Sequence, residues 1–355
     1  WTDAFAVCNF LGLYQDTADK NRLDSALRLV DQVHRILGRH RKDERRSGWI
    51  SGMSEEEGRR HPTLGGLRIG KNLKEREPDE PLDERVEWDR DGQYYHYLTK
   101  WMHALNRVSR VTKDATFNSW AMELAKSAHD AFVYDPGNGS KRMYWKMSID
   151  LSRPQVRLMG QHDPLDGLIT YKQLRETAAG FSKTSQPNLD AEIHDLESLC
   201  VGQSWATEDP LGVGGLLTDI YRIIQLMPKA DDPESHLLVG LAEASRVGLD
   251  AYLGSGSHKL PARYRLAFRE LGLSIGLHAV SKAKTLILKR EERASAHALV
   301  RSQIREFESY NAVGKSIEAF WLEPENRKSP TWMEHKDING VMLATSLAPD
   351  GYLDW

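Results

Sequence analysis

The chain has 355 residues, with 48 Lys and Arg, 51 Asp and Glu and a formal net charge of −3. This near-neutral balance argues against a nucleic-acid partner, and no run approaches 18 consecutive apolar residues, so no membrane span is predicted. Only Cys8 and Cys200 are present, which excludes a disulfide scaffold and a four-cysteine zinc site and favours a cytoplasmic location. Of the aromatic residues, 10 are Trp, 12 Tyr and 8 Phe, a Trp share that suits a groove for flat ligands.

Apolar residues recur at helical spacing along the whole chain, and no alternating strand pattern longer than about five residues is present. Successive helices fall into about six pairs, each joined by a turn. The predicted pairs are Phe5–Gln15 with Asn21–Arg39, Gly92–Ser109 with Asp114–Tyr134, Pro164–Ala178 with Leu189–Leu199, Pro210–Met227 with His236–Leu253, Tyr264–Lys282 with Glu291–Tyr310, and Val313–Trp321 with Asp337–Leu347.

The two helices of most pairs differ in character. The first is apolar around much of its circumference and must be buried, whereas the second is amphipathic with a charged stripe. An inner ring of helices packed by an outer ring explains this difference. The sequence therefore predicts an all-α fold, a single domain over residues 1–355, built as an (α/α)6 toroid of about six helical hairpins.

The starts of the inner helices share a pattern. Asp-Pro-Leu occurs at residues 163–165 and again at 209–211, and Asp at the N-cap followed by Pro is a strong helix start. The segments Asp89–Gly92 and Asp337–Gly340 are looser versions of it. If all inner helices run the same way, their N-termini meet at one end of the ring, which we call the mouth.

Polar and aromatic residues cluster at these helix starts. Asp89 and Asp163 are predicted as the working carboxyl groups, with His162 and His335 as further proton carriers, although plain helix capping explains the aspartates equally well. Trp88, Trp145, Trp205 and Trp332 are predicted to open into one cavity. The predicted substrate-binding residues are Glu87, Trp88, Asp91, Trp145, Asp150, Arg153, Asp166, Trp205, Asp209, Arg263, Trp332 and Asp337.

The segment Val111–Lys126, VTKDATFNSWAMELAK, which runs on to Phe132, resembles the outer helices of the six-hairpin (α/α)6-toroid superfamily. That superfamily includes N-acylglucosamine 2-epimerase-like enzymes and many glycoside hydrolases, among them the unsaturated glucuronyl hydrolases. The resemblance implies a carbohydrate ligand, without deciding the reaction. The Cys-Cys-His zinc set of the lanthionine-cyclase-like toroids is absent.

Three functions follow from this pattern. Glycoside hydrolysis needs two carboxyl groups, and their surplus at the mouth favours a hydrolase acting on an oligosaccharide or an acidic sugar. A sugar 2-epimerase using a His pair is the alternative, and a non-catalytic toroid that binds a ligand or a partner is the third. The sequence predicts no metal and no other cofactor.

Overall fold

The computed structural model describes residues 1–137, 139–181, 187–227, 235–289 and 298–355. Helices predominate, and no strand in these ranges exceeds three residues, so the predicted all-α class is confirmed. The chain divides into two compact units. Unit 1 comprises Trp1, Asp3 and Thr17–Gln203, and unit 2 comprises Thr2, Ala4–Asp16 and Ser204–Trp355. The single domain over residues 1–355 stays a prediction.

Unit 1 contains two helical hairpins and one further long helix that precedes them in the sequence. Helix α1 (Thr2–Thr17) lies mainly in unit 2 and is described there. The helices of unit 1 are α2 (Lys20–Leu37), α3 (Glu55–Arg60), α4 (Glu84–Glu87), α5 (Tyr95–Thr112), α6 (Ala115–Phe132), α7 (Asp163–Ala179) and α8 (Asp190–Cys200). Its strands are β1 (Gln93–Tyr94), β2 (Val133–Tyr134), β3 (Arg142–Met143), β4 (Lys146–Met147) and β5 (Pro154–Val156).

Helices α5 and α7 lie side by side in the same direction at the centre of unit 1. Thr99 near the start of α5 contacts Asp166 near the start of α7, and Arg110 near the end of α5 contacts Thr177 near the end of α7. Of the 17 residues of α7, 12 are buried, whereas α2 buries four of its 18. Helix α7, the first helix of its predicted pair, is therefore more buried than α2, the second helix of another predicted pair, as the sequence predicts for inner and outer helices.

A small antiparallel sheet precedes α5, and its strand order is β1-β4-β5. Because Gln93 and Tyr94 pair with Met147 and Lys146, the chain is extended where the sequence predicted the first turn of a helix. The predicted helix start at Asp89–Gly92 is therefore wrong, and α5 begins at Tyr95 with Tyr94 at its N-cap. The sheet brings the two long loops of this unit together beside the helix start.

Unit 2 places its most buried helices next to one another. Its other helices are α9 (Pro210–Leu226), α10 (Ser235–Gly254), α11 (Ala267–Lys289), α12 (Ala298–Glu306), α13 (Asn311–Leu322), α14 (Pro330–Glu334), α15 (Lys336–Leu347) and α16 (Asp350–Leu353). Helices α9 and α11 run in the same direction, since Arg269 at the start of α11 pairs with Asp209 and Gly276, two turns later, lies against Gly214. The first part of the predicted helix Glu291–Tyr310 lies outside the described residues.

Helix α1 joins unit 2 from the other end of the chain. The Asn9 side-chain amide donates to the carbonyl of Val341, and the Thr345 hydroxyl donates to the Asn9 side-chain oxygen at 2.9 Å. Phe5 stacks on Tyr352 with ring centroids 4.3 Å apart. The first and last helices of the sequence are therefore packing partners.

By length and composition α11 is long and apolar enough to cross a membrane, but 61% of the window tested is buried inside the protein. A buried core helix of a globular unit passes the same test. The absence of a membrane partner stays a prediction.

Candidate functional site

Asp163 is the first residue of α7, and its side chain does not cap that helix. The N-cap is His162, which makes no side-chain capping hydrogen bond. The carboxyl of Asp163 is buried, and its Oδ2 atom has no hydrogen-bond partner among the described residues. A Cβ atom at Gly160 would lie 2.3 Å from that oxygen, so the glycine makes room for the carboxyl. The interpretation of Asp163 as an N-cap is wrong.

The Asp163 carboxyl group has a higher pKa in the folded protein than a carboxyl group in water. Burial, helped by the negative charge of Asp166 and opposed by Lys100, raises the pKa of Asp163 to about 7. Asp166, one helical turn on, is held by Lys100 Nζ at 2.9 Å and by the Thr99 hydroxyl. These two donors hold the Asp166 side chain at the start of α7.

His96, one residue into α5, faces Asp163. Its Nδ1 atom lies 3.9 Å from Asp163 Oδ1, and 36% of its side chain is exposed. Burial, with a contribution from the positive charge of Lys100, lowers the pKa of His96 to about 3. Since burial disfavours both charged forms, the pair at neutral pH consists of a neutral imidazole and a carboxyl group that is about half protonated. Such a carboxyl group can give a proton to a ligand and take one back.

Aromatic rings lead from the two long loops to this pair. We call Trp145, Trp88, Tyr94 and His96 the aromatic row. The ring centroids are 5.0 Å apart between Trp145 and Trp88, 6.1 Å between Trp88 and Tyr94, and 5.4 Å between Tyr94 and His96. Trp88, which lies next to Trp145 in the row, is 42% exposed, so the row presents aromatic surface to solvent there. Aromatic faces of this kind stack on planar or ring-shaped ligands.

Two predicted binding residues of the loops, Glu87 and Asp91, stabilise the fold instead. Glu87 is buried and pairs with Lys146 at 2.9 Å and with Arg76 at 3.1 Å. Asp91 is fully buried and accepts hydrogen bonds from Arg41, Arg68 and the amide of Gly70. Both carboxylates are thus buried and paired with basic side chains of the fold, which leaves them poorly placed to bind a ligand.

Asp150 and Arg153 are also engaged within the loops. Burial opposes the charge of Asp150, but hydrogen bonds from Ser152 and Ser148 lower its pKa to about 2, and Arg46 forms an ion pair with it. Arg153 donates to the carbonyl of Arg76 and also lines a surface cavity.

Asp89 is not positioned as the partner of Asp163. It lies in a turn after α4, its side chain is 71% exposed, and Lys71 is 3.8 Å away. No contact in the described part of the chain joins Asp89 to Asp163. Asp89 is therefore not proposed as the second carboxyl group beside Asp163.

Five predicted substrate-binding residues belong to unit 2. Asp209 is an N-cap as predicted, since its side chain accepts from the amide of Leu211, and Asp337 is exposed in the first turn of α15. Trp205 and Trp332 are each 6% exposed, and Trp332 stacks on Trp321. Arg263 is exposed and lies over the Tyr264 ring.

His335 is likewise in unit 2, where it packs edge-on against Phe268, whereas His162 is in unit 1. A cavity shared by all four predicted tryptophans stays a prediction, and only Trp88 and Trp145 are seen in contact. Among the described residues, no group of three or more His, Cys, Asp or Glu side chains could hold a metal ion.

His96 lies one turn into the helix that the sequence predicts from Gly92, a position typical of a buried structural histidine. The later start of α5 moves His96 to the second residue of the helix, next to the start of α7. No residue pattern marks the strand that causes this shift, because β1 is two residues long. Tyr94 was missed for the same reason.

No protein-family model, curated protein or solved structure matches the chain.

Proposed function

We propose that the protein is a glycoside hydrolase that uses Asp163 as its proton donor. The observation that carries the proposal is the buried Asp163 carboxyl, which has one oxygen without a partner in the described part of the chain and a pKa raised to about 7. A glycosidase needs one carboxyl group that stays protonated near neutral pH so that it can protonate the leaving oxygen. Asp163 has this property.

The neighbouring groups fit the same role. Asp166 forms an ion pair with Lys100, and its negative charge helps to keep the proton on Asp163. Because the pKa of His96 is lowered, its imidazole adds no positive charge that would favour the ionised form of Asp163. The aromatic row would position the sugar rings, since the flat faces of Trp88 and Trp145 can stack on pyranose C–H faces. During bond cleavage the proton of Asp163 passes to the glycosidic oxygen and the bond from that oxygen to the anomeric carbon breaks. Water then bonds to the anomeric carbon and gives up a proton, which restores the protonated Asp163.

The proposed architecture around this site is the six-hairpin toroid that the sequence resemblance implies. Within unit 2, α9, α11, α15 and α1 pack in succession, and within unit 1, α5 packs on α7. These six helices are the ones that an inner ring requires. An experimental structure in which they do not form one closed ring would refute the toroid.

A panel of oligosaccharides, assayed for new reducing ends, tests the hydrolase. We expect cleavage of at least one oligosaccharide and a loss of at least about 100-fold in the Asp163→Asn variant, because Asn keeps the shape of the side chain and removes its proton. Asp114→Asn is the matched control, since Asp114 caps α6 through the amide of Thr116 and should keep full activity. A fully active Asp163→Asn variant would overturn the proposal.

Sugar epimerisation is the second candidate, and the contact between His96 Nδ1 and Asp163 Oδ1 at 3.9 Å favours it. If one of the two groups removes a C–H proton and the other returns a proton to the opposite face of the same carbon, the configuration of that carbon is inverted. The same panel, incubated in D₂O, separates the two reactions. Deuterium appearing on a sugar carbon without new reducing ends supports epimerisation and contradicts hydrolysis.

A further inference from the structure

The surface cavity that Arg153 lines adjoins the aromatic row at Trp88. It has a volume of about 570 Å³ and includes Trp88 in its wall. Its apolar lining is unusually open to solvent, since Leu82 is 49% exposed and Leu158 is 68% exposed. Trp88 belongs to both the cavity and the aromatic row, so the cavity adjoins the row that ends at His96.

The polar groups of this cavity fall into two classes. Arg76 is committed to the fold, because it donates to Glu87 and to the carbonyls of Glu80 and Gln155. Arg157 also lines the cavity, is exposed, and forms no ion pair with any residue that the structure describes. Three arginines line the cavity (Arg76, Arg153 and Arg157) against two glutamates (Glu84 and Glu87), so the lining carries an excess of positive charge, and Arg157 is an arginine of this lining that is not held in an ion pair in the part of the chain that the structure describes.

The wall also contains an unsatisfied hydrogen-bond acceptor. Gln155 is 2% exposed and lines the cavity, and its Oε1 atom has no partner within the described ranges. A buried acceptor without a donor is unfavourable, and a ligand hydroxyl would satisfy it. The cavity thus combines an apolar ring surface, an acceptor for a hydroxyl and the guanidinium of Arg157.

We propose that this cavity is a binding subsite for an anionic pyranoside, a sugar ring that bears a carboxylate or a sulfate. One ring face would stack on Trp88, a ring hydroxyl would donate to Gln155 Oε1, and the anionic group would pair with Arg157. Arginine suits this last contact because its planar donors match the oxygens of a carboxylate or sulfate. The inference rests on the proposed function for its substrate class, and it makes the natural substrate an acidic oligosaccharide.

Direct binding tests the subsite without turnover. Methyl β-D-glucuronide and its neutral counterpart methyl β-D-glucoside are titrated calorimetrically into the full chain carrying Asp163→Asn. We expect the glucuronide to bind about tenfold or more tightly than the glucoside, and added NaCl to weaken only the glucuronide. Arg157→Gln should abolish this preference, whereas Arg142→Gln, which removes an exposed arginine of β3 outside the cavity lining, should retain it.

Gln155→Met tests the acceptor, since methionine keeps the length of the side chain and removes the oxygen. It should weaken both sugars about equally, with circular dichroism confirming that the variant is folded. Equal binding of the two sugars by the parent chain would overturn the proposal. So would an unchanged preference in Arg157→Gln, or inorganic phosphate that binds as tightly as the glucuronide.

The two proposals fail separately. Glucuronide binding without hydrolysis of any oligosaccharide overturns the hydrolase and leaves the subsite standing. Hydrolysis of neutral oligosaccharides with no preference for the glucuronide overturns the subsite and leaves the hydrolase standing.

Discussion

The carboxyl group of Asp163 ties the activity of the protein to pH. With a pKa raised to about 7 by burial, it holds its proton below neutrality and loses it above. As a proton donor it should therefore give a kcat/KM that falls about tenfold for each pH unit above about 7. A pH profile on the cleaved oligosaccharide measures this, and the residual activity of Asp163→Asn should lack the alkaline limb. An identical limb in that variant would assign the titration to another group.

The same group affects stability, and the sign follows from the direction of its shift. Asp163 has a pKa of about 7 in the folded chain against an ordinary value of 3.8, so the folded state binds more protons between these values. Its contribution therefore lowers the free energy of unfolding as pH rises from about 4 to about 7. His96 acts oppositely, since its lowered pKa makes the unfolded state bind more protons below its ordinary value of 6.5.

Comparison of wild type with Asp163→Asn isolates Asp163. The variant should gain stability over wild type by an amount that grows across this range to about 4 kcal/mol, because one pKa unit corresponds to 1.36 kcal/mol. Urea unfolding at pH 4, 5.5 and 8 measures the difference. A difference that does not change with pH would mean that the carboxyl titrates alike in both states.

Lys146 and Lys71 provide a matched pair for the cost of removing a salt bridge. Lys146 is fully buried and donates to Glu87 Oε1 and to the carbonyls of Glu87 and Arg90. Lys146→Met should cost about 3–5 kcal/mol, since it leaves a buried carboxylate short of a partner. Lys71→Met breaks only the exposed pair with Asp89 and should change stability by less than about 1 kcal/mol. Equal effects in urea unfolding would contradict the structural role of Glu87.

Asp163 and Asp209 show where residue-level prediction ends. Both precede Pro-Leu in the sequence, yet Asp209 caps α9 and Asp163 lies inside α7 as a buried acid. The local pattern is the same, so capping propensity cannot separate them. The difference comes from α5, which covers Asp163 and is distant in sequence.

At the scale of elements, the close packing of α9 on α11 depends on glycine. A Cβ atom at Gly214 would lie 2.1 Å from the carbonyl oxygen of Gly272, whereas one at Gly215 would meet nothing within 4 Å. Gly214→Ala should therefore cost several kcal/mol by forcing the helices apart, at the upper end of the range for overpacking. Gly215→Ala should stabilise by about 0.5–1 kcal/mol, because alanine favours the helix. The midpoints of thermal unfolding should move in opposite directions, and a parallel shift would contradict the contact.

Helix positions were largely readable from periodicity. The predicted Pro164–Ala178 and Pro210–Met227 agree within a residue with Asp163–Ala179 and Pro210–Leu226, because long amphipathic or buried stretches bounded by Pro are strong signals. The start of α5 was not readable. There the two-residue β1 pairs with β4, which is about 50 residues away in sequence, and a partner so distant leaves no local trace.

At the scale of the whole molecule, the sequence did not indicate that its first helix packs against its last ones. The apolar residues of α1 indicate that the helix is buried but not which part of the chain covers it. In the structure the partners are α15 and α16, so unit 2 is built from both ends of the sequence. This arrangement predicts that damage at one end is felt at the other.

Gly351 is the position at which this coupling can be tested. A Cβ atom there would lie 2.2 Å from the carbonyl oxygen of Cys8 in α1, whereas a Cβ atom at Gly340 would meet nothing within 4 Å. Gly351→Ala should therefore push α1 and α16 apart and speed hydrogen exchange in peptides covering residues 2–17 and 336–355 together. Gly340→Ala should leave both protected, since an exposed helical position accepts alanine. Exchange measured by mass spectrometry that rises only in the C-terminal peptides would refute the pairing of the two ends, because a shared contact must release both of its partners.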